Sequence, residues 1–328
     1  MGGGAVRLLA RTGRVSAADF ASDVAYYLTL SPRQLPSRYF YDALGSALFD
    51  AICLLPWYRI SRAEARLLSA HRHEVFAHLA PVSTIVELGS GSGEKLRSLA
   101  QGRPGHTGRL AIHLIDVSGA ALMAAARALA DVDEAAIVTH EAEYEEGLAV
   151  FAREPHPVGL TLALFLGSNI GNFDRPGAEA FLRNIRAALS AGDALLIGGD
   201  LVKPEHDLRL AYDDPLGITA AFNRNLIVRI NRELGGHFDV GGFEHRAVWN
   251  GSESRIEMHL VARRPQHVRI DAIDLDIDLA EGETIWTESS YKYRPQEIVD
   301  LVERAGFTRR AQWVATAEQF ALTLFQAV

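Results

Sequence analysis

The sequence predicts an α/β protein: an open, doubly wound, mostly parallel sheet with a second, inserted α+β domain. Three observations predict it. Between Pro81 and Val202, apolar runs of strand length alternate with amphipathic stretches of helical period, as expected when helices cross over between parallel strands. Glu87-Leu88-Gly89-Ser90-Gly91-Ser92-Gly93 puts a glycine-rich turn where the first of those strands gives way to a helix. The alternation lapses at Lys203, resumes at Arg294, and closes as helix, strand, turn and antiparallel strand.

Each element has its own signal. The first strand covers 84–88, with a helix beginning near Glu94. The second covers 110–115, ends at Asp116, and is followed by an alanine-rich helix over 118–130. Residues 136–139 form a short third strand, and 160–166, apolar throughout, a fourth that belongs in the middle of the sheet. A helix over 177–189 and a fifth strand over 194–201 follow. The closing helix, 295–305, has proline near its start and Gly306 after its end, and leads to strands at 308–314 and 320–327. Outside the sheet lie an amphipathic stretch at 216–234 and alternating segments at 255–262 and 267–273. The expected division is a ligand-binding core of 63–202 and 293–328 and a lid domain of 1–62 and 203–292. The lid is expected over the carboxyl ends of the strands, where open α/β sheets bind ligands.

Composition narrows the function. At 48% hydrophobic and 23% charged, the chain has the balance of a globular protein, and no apolar run approaches a membrane span. The N-terminus lacks the basic and apolar stretches of a secretory signal, so a cytoplasmic protein is expected. Cys53 is the single cysteine; in Ala51-Ile52-Cys53-Leu54-Leu55 it reads as a small buried hydrophobe. A net charge of −8 disfavours nucleic acid as a partner, because such binding displaces counterions with a basic surface. Among the 12 histidines, His71 and His73 fall on different helix faces and no His-Glu-x-x-His occurs, so no metal is assigned. Nearly all basic residues are arginine; the lysines are Lys95, Lys203 and Lys292.

The glycine turn gives the chemistry a direction. Gly89, Gly91 and Gly93 follow a Gly-x-Gly-x-Gly spacing, whereas the dinucleotide fingerprint places its third glycine one residue later. Glu87 ends the strand ahead of the turn, and Asp116 ends the next strand, placed to accept from both hydroxyls of a ribose. Glu141, Glu143 and Glu145, beside Tyr144, follow the third strand and suit an adenine amino group. Each feature alone is also what a strand-end turn or a solvated acidic face looks like. Their order at successive strand ends favours a nucleoside, and the glycine spacing with the terminal topology favours S-adenosylmethionine (SAM) over NAD. The sheet is then that of a class I SAM-methyltransferase, a Rossmann-like fold. Lys95, just inside the helix, is expected to pair with the methionine carboxylate.

Five phrases carry a resemblance: Tyr39-Phe40-Tyr41-Asp42, Glu87-Leu88-Gly89-Ser90-Gly91, Phe165-Leu166-Gly167-Ser168, Ala221-Phe222-Asn223-Arg224-Asn225 and Thr287-Glu288-Ser289-Ser290-Tyr291-Lys292. In this order, from about Ser37 to the C-terminus, the chain resembles the histidine Nα-methyltransferases of ergothioneine biosynthesis. The resemblance implies a monomeric enzyme that trimethylates the α-amino group of L-histidine to hercynine with SAM. It implies Tyr41 near the reacting amine, Asn172 and Tyr212 on the carboxylate end, and Tyr58, Glu288 and Ser290 on the imidazole. Met258 would be pocket wall; Glu87, Gly89, Gly91, Lys95 and Asp116 would bind SAM, with Glu143 and Tyr144 at the adenine.

The chain departs from the family pattern in places. Trp57-Tyr58-Arg59 stands where the family carries an acid and two tyrosines. Gly93 and Asn169 replace a serine and a threonine, and Glu143-Tyr144 an Asp-Phe pair. Three other readings stay open on the residues: a same-fold methyltransferase of another small amino acid or with fewer methylations, a nicotinamide-dependent oxidoreductase, and a SAM-binding scaffold without turnover.

Overall fold

A computed structural model describes residues 6–7, 17–104 and 109–328. In chain order the first half contains β1 (Val6–Arg7), α1 (Ala17–Tyr27), β2 (Arg33–Gln34), α2 (Ala43–Leu54), α3 (Ile60–Ala77), β3 (Val82–Leu88), α4 (Glu94–Ala100), β4 (Leu110–Asp116), α5 (Gly119–Ala128), β5 (Ala135–Glu141), α6 (Tyr144–Phe151) and β6 (Leu160–Phe165). The rest are α7 (Arg175–Ala187), β7 (Ala194–Asp200), α8 (Glu205–Tyr212), α9 (Ile218–Leu234), β8 (Phe243–Asn250), β9 (Arg255–Ala262), β10 (Gln266–Ile270), β11 (Leu275–Leu279), β12 (Thr284–Tyr291), α10 (Pro295–Arg304), β13 (Phe307–Ala315) and β14 (Phe320–Ala327). The chain divides into two compact units.

The first unit holds Ile60–Val202, Lys292–Val328 and β1. Its sheet runs β1-β5-β4-β3-β6-β7-β14-β13. The strands are parallel from β1 to β7, while β14 lies antiparallel to β7 and β13 antiparallel to β14. The predicted ending is therefore present. Every residue of β3, β6 and β7 is buried, which is why these strands read as unbroken apolar runs rather than alternating ones. The order reverses between β3 and β6, so a crevice opens at their carboxyl ends.

Helix ends follow local capping. Ser118 accepts from the Ala121 amide at 3.3 Å to start α5. Asp174 accepts from the Gly177 amide at 2.7 Å, which starts α7 two residues before the expected 177. Two of the three lysines stand in ion pairs of this unit. Lys292, 0% exposed, meets the 1% exposed Asp200 at 3.1 Å, and Lys95 meets the buried Glu64 at 2.5 Å.

The second unit holds residues 17–59 and Lys203–Tyr291. A four-stranded sheet, β2-β12-β9-β8, and the β10–β11 hairpin form its strands. Helix α9 buries Phe222, Leu226, Ile227 and Ile230, the apolar stripe legible at 216–234.

Several expectations are corrected. The N-terminal 62 residues do not all belong with the inserted segment: Val6–Arg7 joins the sheet edge beside β5, and α3 begins at Ile60 in the first unit. A two-residue strand is too short to show a period. The third strand spans Ala135–Glu141 rather than 136–139. The strand expected over 267–273 stops at Ile270, because the chain turns through Asp274 (φ 50°) into β11. Cys53 is half-buried rather than buried. Among the described residues, no helix is long and apolar enough to cross a membrane.

Two adjacent glycines let helices approach opposite faces of β7. A Cβ on Gly198 would lie 1.9 Å from Glu64 Oε1 of α3, and one on Gly199 would lie 2.5 Å from Ile298 Cδ1 of α10. We expect Gly198→Ala to cost about 1–3 kcal/mol, seen as a fall of about 2–4 °C in Tm by differential scanning fluorimetry. At Gly241 the nearest atom to a Cβ stands at 3.5 Å, so Gly241→Ala serves as the neutral control.

Candidate functional site

The turn after β3 is built from backbone alone. Gly89 (φ 78°) and Gly91 (φ 49°) occupy left-handed conformations that side chains resist. A Cβ at Gly89 would lie 2.8 Å from both the Tyr144 hydroxyl and Asn169 Nδ2, so the turn, α6 and the segment after β6 meet here. The Gly89 amide donates to the Ile115 carbonyl at 2.8 Å, and the Gly91 amide to Asp116 Oδ2 at 3.3 Å. Asp116 also accepts from the Ser118 amide at 2.9 Å, while burial raises its pKa.

Glu87 is the anomaly of this cleft. It is 2% exposed, and its Oε2 has no hydrogen-bond partner among the described residues, as is also true of the buried Ser90 Oγ. Burial pushes its carboxyl up to about 8, with Lys95 opposing and Glu64 and Asp116 adding to the rise. A buried acceptor left unpaired costs about 1–3 kcal/mol, so the site is set for a donor from outside the chain. Lys95 pairs with Glu64, a residue that spacing alone did not single out. Glu64, 0% exposed, also accepts from the Gly167 amide at 2.9 and 2.8 Å through its two oxygens. Tyr144 opens α6, just after Glu143, and its ring lies 5.7 Å from Phe165 and 5.5 Å from Phe181. Asn172 closes a 3-10 turn after β6 with an exposed side chain. These groups fit an adenosine bearing a charged amino-acid tail: orphaned acceptors, open backbone at Gly91, and an anchored Asp116.

The second unit holds six of the expected acceptor residues. Tyr58 is 7% exposed, and its ring lies 6.3 Å from that of Tyr212. The Tyr212 hydroxyl bonds Ser290 Oγ at 2.8 Å. Burial raises the Tyr58 pKa well above its ordinary value, and nearby Tyr212, Cys53, Tyr41 and Glu288 raise it further, so this phenol keeps its proton. Tyr41 packs edge-on against Phe49 at 5.6 Å and Phe222 at 5.8 Å. Pairing of β12 with β9 slips between Trp286 and Glu288. A bulge of this kind flips the side chains that follow it to the other face, so strict alternation along 284–291 misplaces Glu288 and Ser290. Met258 pairs with Glu288 across the strands and is 1% exposed, a wall residue.

Sequence reading missed the residues that hold this cluster, although Asn223 and Asn225 sit in a quoted phrase. His245 Nε2 donates to the Tyr212 carbonyl at 2.7 Å, and its Nδ1 accepts from Asn223 Nδ2 at 2.9 Å. Burial keeps His245 neutral by lowering its pKa, and these two bonds fix the tautomer. Asp42, next to Tyr41, caps α2 by accepting from the Gly45 amide at 2.7 Å, and accepts from Asn225 Nδ2 at 2.7 Å and Arg232 at 2.6 Å. Only a fold that lays α9 beside α2 reveals these partners.

Comparison with known proteins shows the family. The family model for histidine-specific, SAM-dependent methyltransferases matches residues 20–327. A histidine N-alpha-methyltransferase of Mycolicibacterium smegmatis is 44% identical over 304 residues, 92% of this chain and 93% of that protein. Another, from Mycobacterium tuberculosis, is 42% identical over 324 residues, 95% of this chain and 99% of that one. Ergothioneine biosynthesis protein 1 of Schizosaccharomyces pombe is 27% identical over 297 residues, 88% of this chain and 38% of that protein.

The three partners of Asp42 generate a pH-dependent expectation. Burial pulls its pKa up, but the bonds from Arg232, Gly45 and Asn225 prevail and leave it below the ordinary value. Its stabilisation is therefore present above the unfolded-state pKa and lost as pH falls through the lower folded value. Asp42→Ala should cost about 1–2 kcal/mol at neutral pH, and its Tm deficit against the parent should shrink in acid denaturation series below about pH 4.

Proposed function

The chain belongs to the family of histidine-specific, SAM-dependent methyltransferases, and from that premise we propose that it methylates the α-amino group of L-histidine three times, to hercynine. The observation that carries the proposal is the acceptor cluster, in which one carboxylate, Glu288, stands among the phenols of Tyr41, Tyr58 and Tyr212. Membership of the family withdraws the oxidoreductase reading. A monomer acting in the cytoplasm on small molecules alone completes the proposal; every residue it uses lies in one chain.

SAM supplies, when bound, an electrophilic methyl group on a sulfonium. The chain's part is to hold donor and amine in line, and such positioning supplies up to about 7–11 kcal/mol of barrier reduction. On the donor side, the residues proposed to hold SAM are Gly89 and Gly91 by backbone, Asp116 at the ribose, Glu143 and Tyr144 at the adenine, and Glu87 at the ammonium of the methionine tail. Lys95 contributes through Glu64, with which it pairs.

On the acceptor side, the amine must shed protons to remain nucleophilic. Tyr41 steers its lone pair without the tight carboxylate contact that would hold it as ammonium. Glu288 is assigned to the imidazole N–H, with Tyr58 and Ser290 beside it. Ser290 holds the Tyr212 hydroxyl, so one bonded pair serves both ends of a substrate as small as histidine. Asn172 is assigned to the carboxylate.

Mixing purified protein with SAM and the amino acids one at a time, and reading products by mass spectrometry, tests the proposal. Histidine should gain three methyl groups; methylation of another amino acid in preference, or of none, overturns it. From the assignment of Glu288, Glu288→Ala should raise KM for histidine by about 10–100-fold and leave the SAM Kd unchanged; equal loss of both refutes the assignment. The unpartnered Glu87 gives a proton-linked expectation. Its carboxyl is neutral below about 8 in the free protein, and an ammonium beside it favours the anion, so binding must expel a proton. Calorimetry in buffers of different ionisation heat should show proton release near pH 7, with SAM affinity rising between about pH 6 and 8. Glu87→Gln should abolish the release.

A further inference from the structure

Away from both clusters, on the flank of the sheet covered by α6, three ligand-type side chains converge that the proposed chemistry leaves unused. His113 lies in the middle of β4, His140 near the end of β5, and Glu154 just beyond α6. His113 Nδ1 stands 3.1 Å from His140 Nε2 and 3.6 Å from Glu154 Oε2, and the three ligand atoms all lie within 4.8 Å of one another. Tetrahedral zinc, with bonds of about 2.0–2.1 Å to nitrogen and oxygen, holds its ligand atoms about 3.3 Å apart. The spacing found here brackets that value.

A metal-free arrangement leaves these groups poorly matched. His113 and His140 are 4% and 2% exposed, and their rings stack 5.4 Å apart at 11°. One proton serves the bond between the two nitrogens, and Glu154 Oε2 lies 3.6 Å from the same His113 Nδ1. His156 gives an independent sign. Its ring lies 5.3 Å from that of His113, its Nε2 bonds the Phe151 carbonyl at 2.9 Å, and its Nδ1 is buried with no hydrogen-bond partner among the described residues. With the proton on Nε2, that Nδ1 is a lone pair with nothing to accept.

From this geometry we infer that His113, His140 and Glu154 form a binding site for a divalent transition-metal cation, zinc by ligand type. Two imidazoles and one carboxylate suit Zn²⁺ over Mg²⁺ or Ca²⁺, which take oxygen. The cation satisfies the facing lone pairs at once and pins the chain after α6 to β4 and β5. Its role is structural, and methyl transfer draws nothing from it.

Chelator-treated, tag-free protein titrated with Zn²⁺ tests the inference. One equivalent should bind in calorimetry, and Tm should rise by about 4 °C at a hundredfold excess over Kd. Co²⁺ in its place should give the visible absorption of a tetrahedral site. Glu154→Gln, at a part-exposed position that leaves the core intact, should weaken binding by more than about tenfold and reduce the Co²⁺ bands. His71→Gln, on α3, should leave both unchanged. Absence of stoichiometric binding overturns the inference. So does binding that survives unaltered in Glu154→Gln, which would assign the metal to surface histidines.

Discussion

A buried carboxylate organises the donor half of this protein. Glu64, on α3, takes the Gly167 amide with both oxygens and the Lys95 ammonium with one, so α3, α4 and the chain after β6 are tied at one point. That point lies beside the carboxyl ends of β3 and β6, where the strand order reverses. Withdrawing one partner from such a group leaves an uncompensated charge in a poor solvent, a loss of about 3–5 kcal/mol. Gly198 is glycine for the same reason: no side chain fits between β7 and this carboxylate. The turn of Gly89 and Gly91 can therefore stay bare backbone, because its neighbours are fixed by Glu64 and Asp116 rather than by packing of its own.

The two units set their clusters by different means. The first keeps Glu87 Oε2 without a partner among the described residues, a desolvation that a charged ligand would repay. The second ties the groups around its tyrosines to fixed partners, although Asn223 Oδ1 and Asn225 Oδ1 stay unpaired among the described residues. Ser290 holds Tyr212 at its hydroxyl, His245 holds it at its carbonyl, and Asn223 sets the histidine's tautomer. Asp42 does the same beside Tyr41 through Gly45, Asn225 and Arg232. A side chain fixed by such a shell loses little entropy when the substrate arrives, which is how preorganised sites keep reacting groups in line.

Much of this was legible along the chain because its signals are local. The 3.6-residue stripe of α9, the apolar runs of β6 and β7 and the capped, glycine-terminated α10 depend on residues a few positions apart. The same holds for the strand-end placement of Glu87 and Asp116. What stayed hidden is non-local or breaks a period. Val6–Arg7 pairs with β5 across about 130 residues of chain and shows no pattern in two residues. The slip at Thr287 re-aims Glu288 and Ser290 against the alternation that defines their strand. Lys95 has a charge partner, Glu64, 31 positions away, and a sequence motif names the lysine without naming the carboxylate.

The sequence by itself determined the fold class and the nucleoside-type donor. Strand and helix periods, turn glycines and strand-end acids act over a few residues, and the chain displays them directly. Tertiary structure alone decided which of those groups are paired and which are left wanting. Glu87 Oε2 has no hydrogen-bond partner among the described residues, Lys95 pairs with Glu64, and His113, His140 and Glu154 are neighbours only because three-dimensional packing sets dielectric, distance and partner. Desolvation and hydrogen bonding depend on everything that surrounds an atom, and that surrounding comes from every part of the chain.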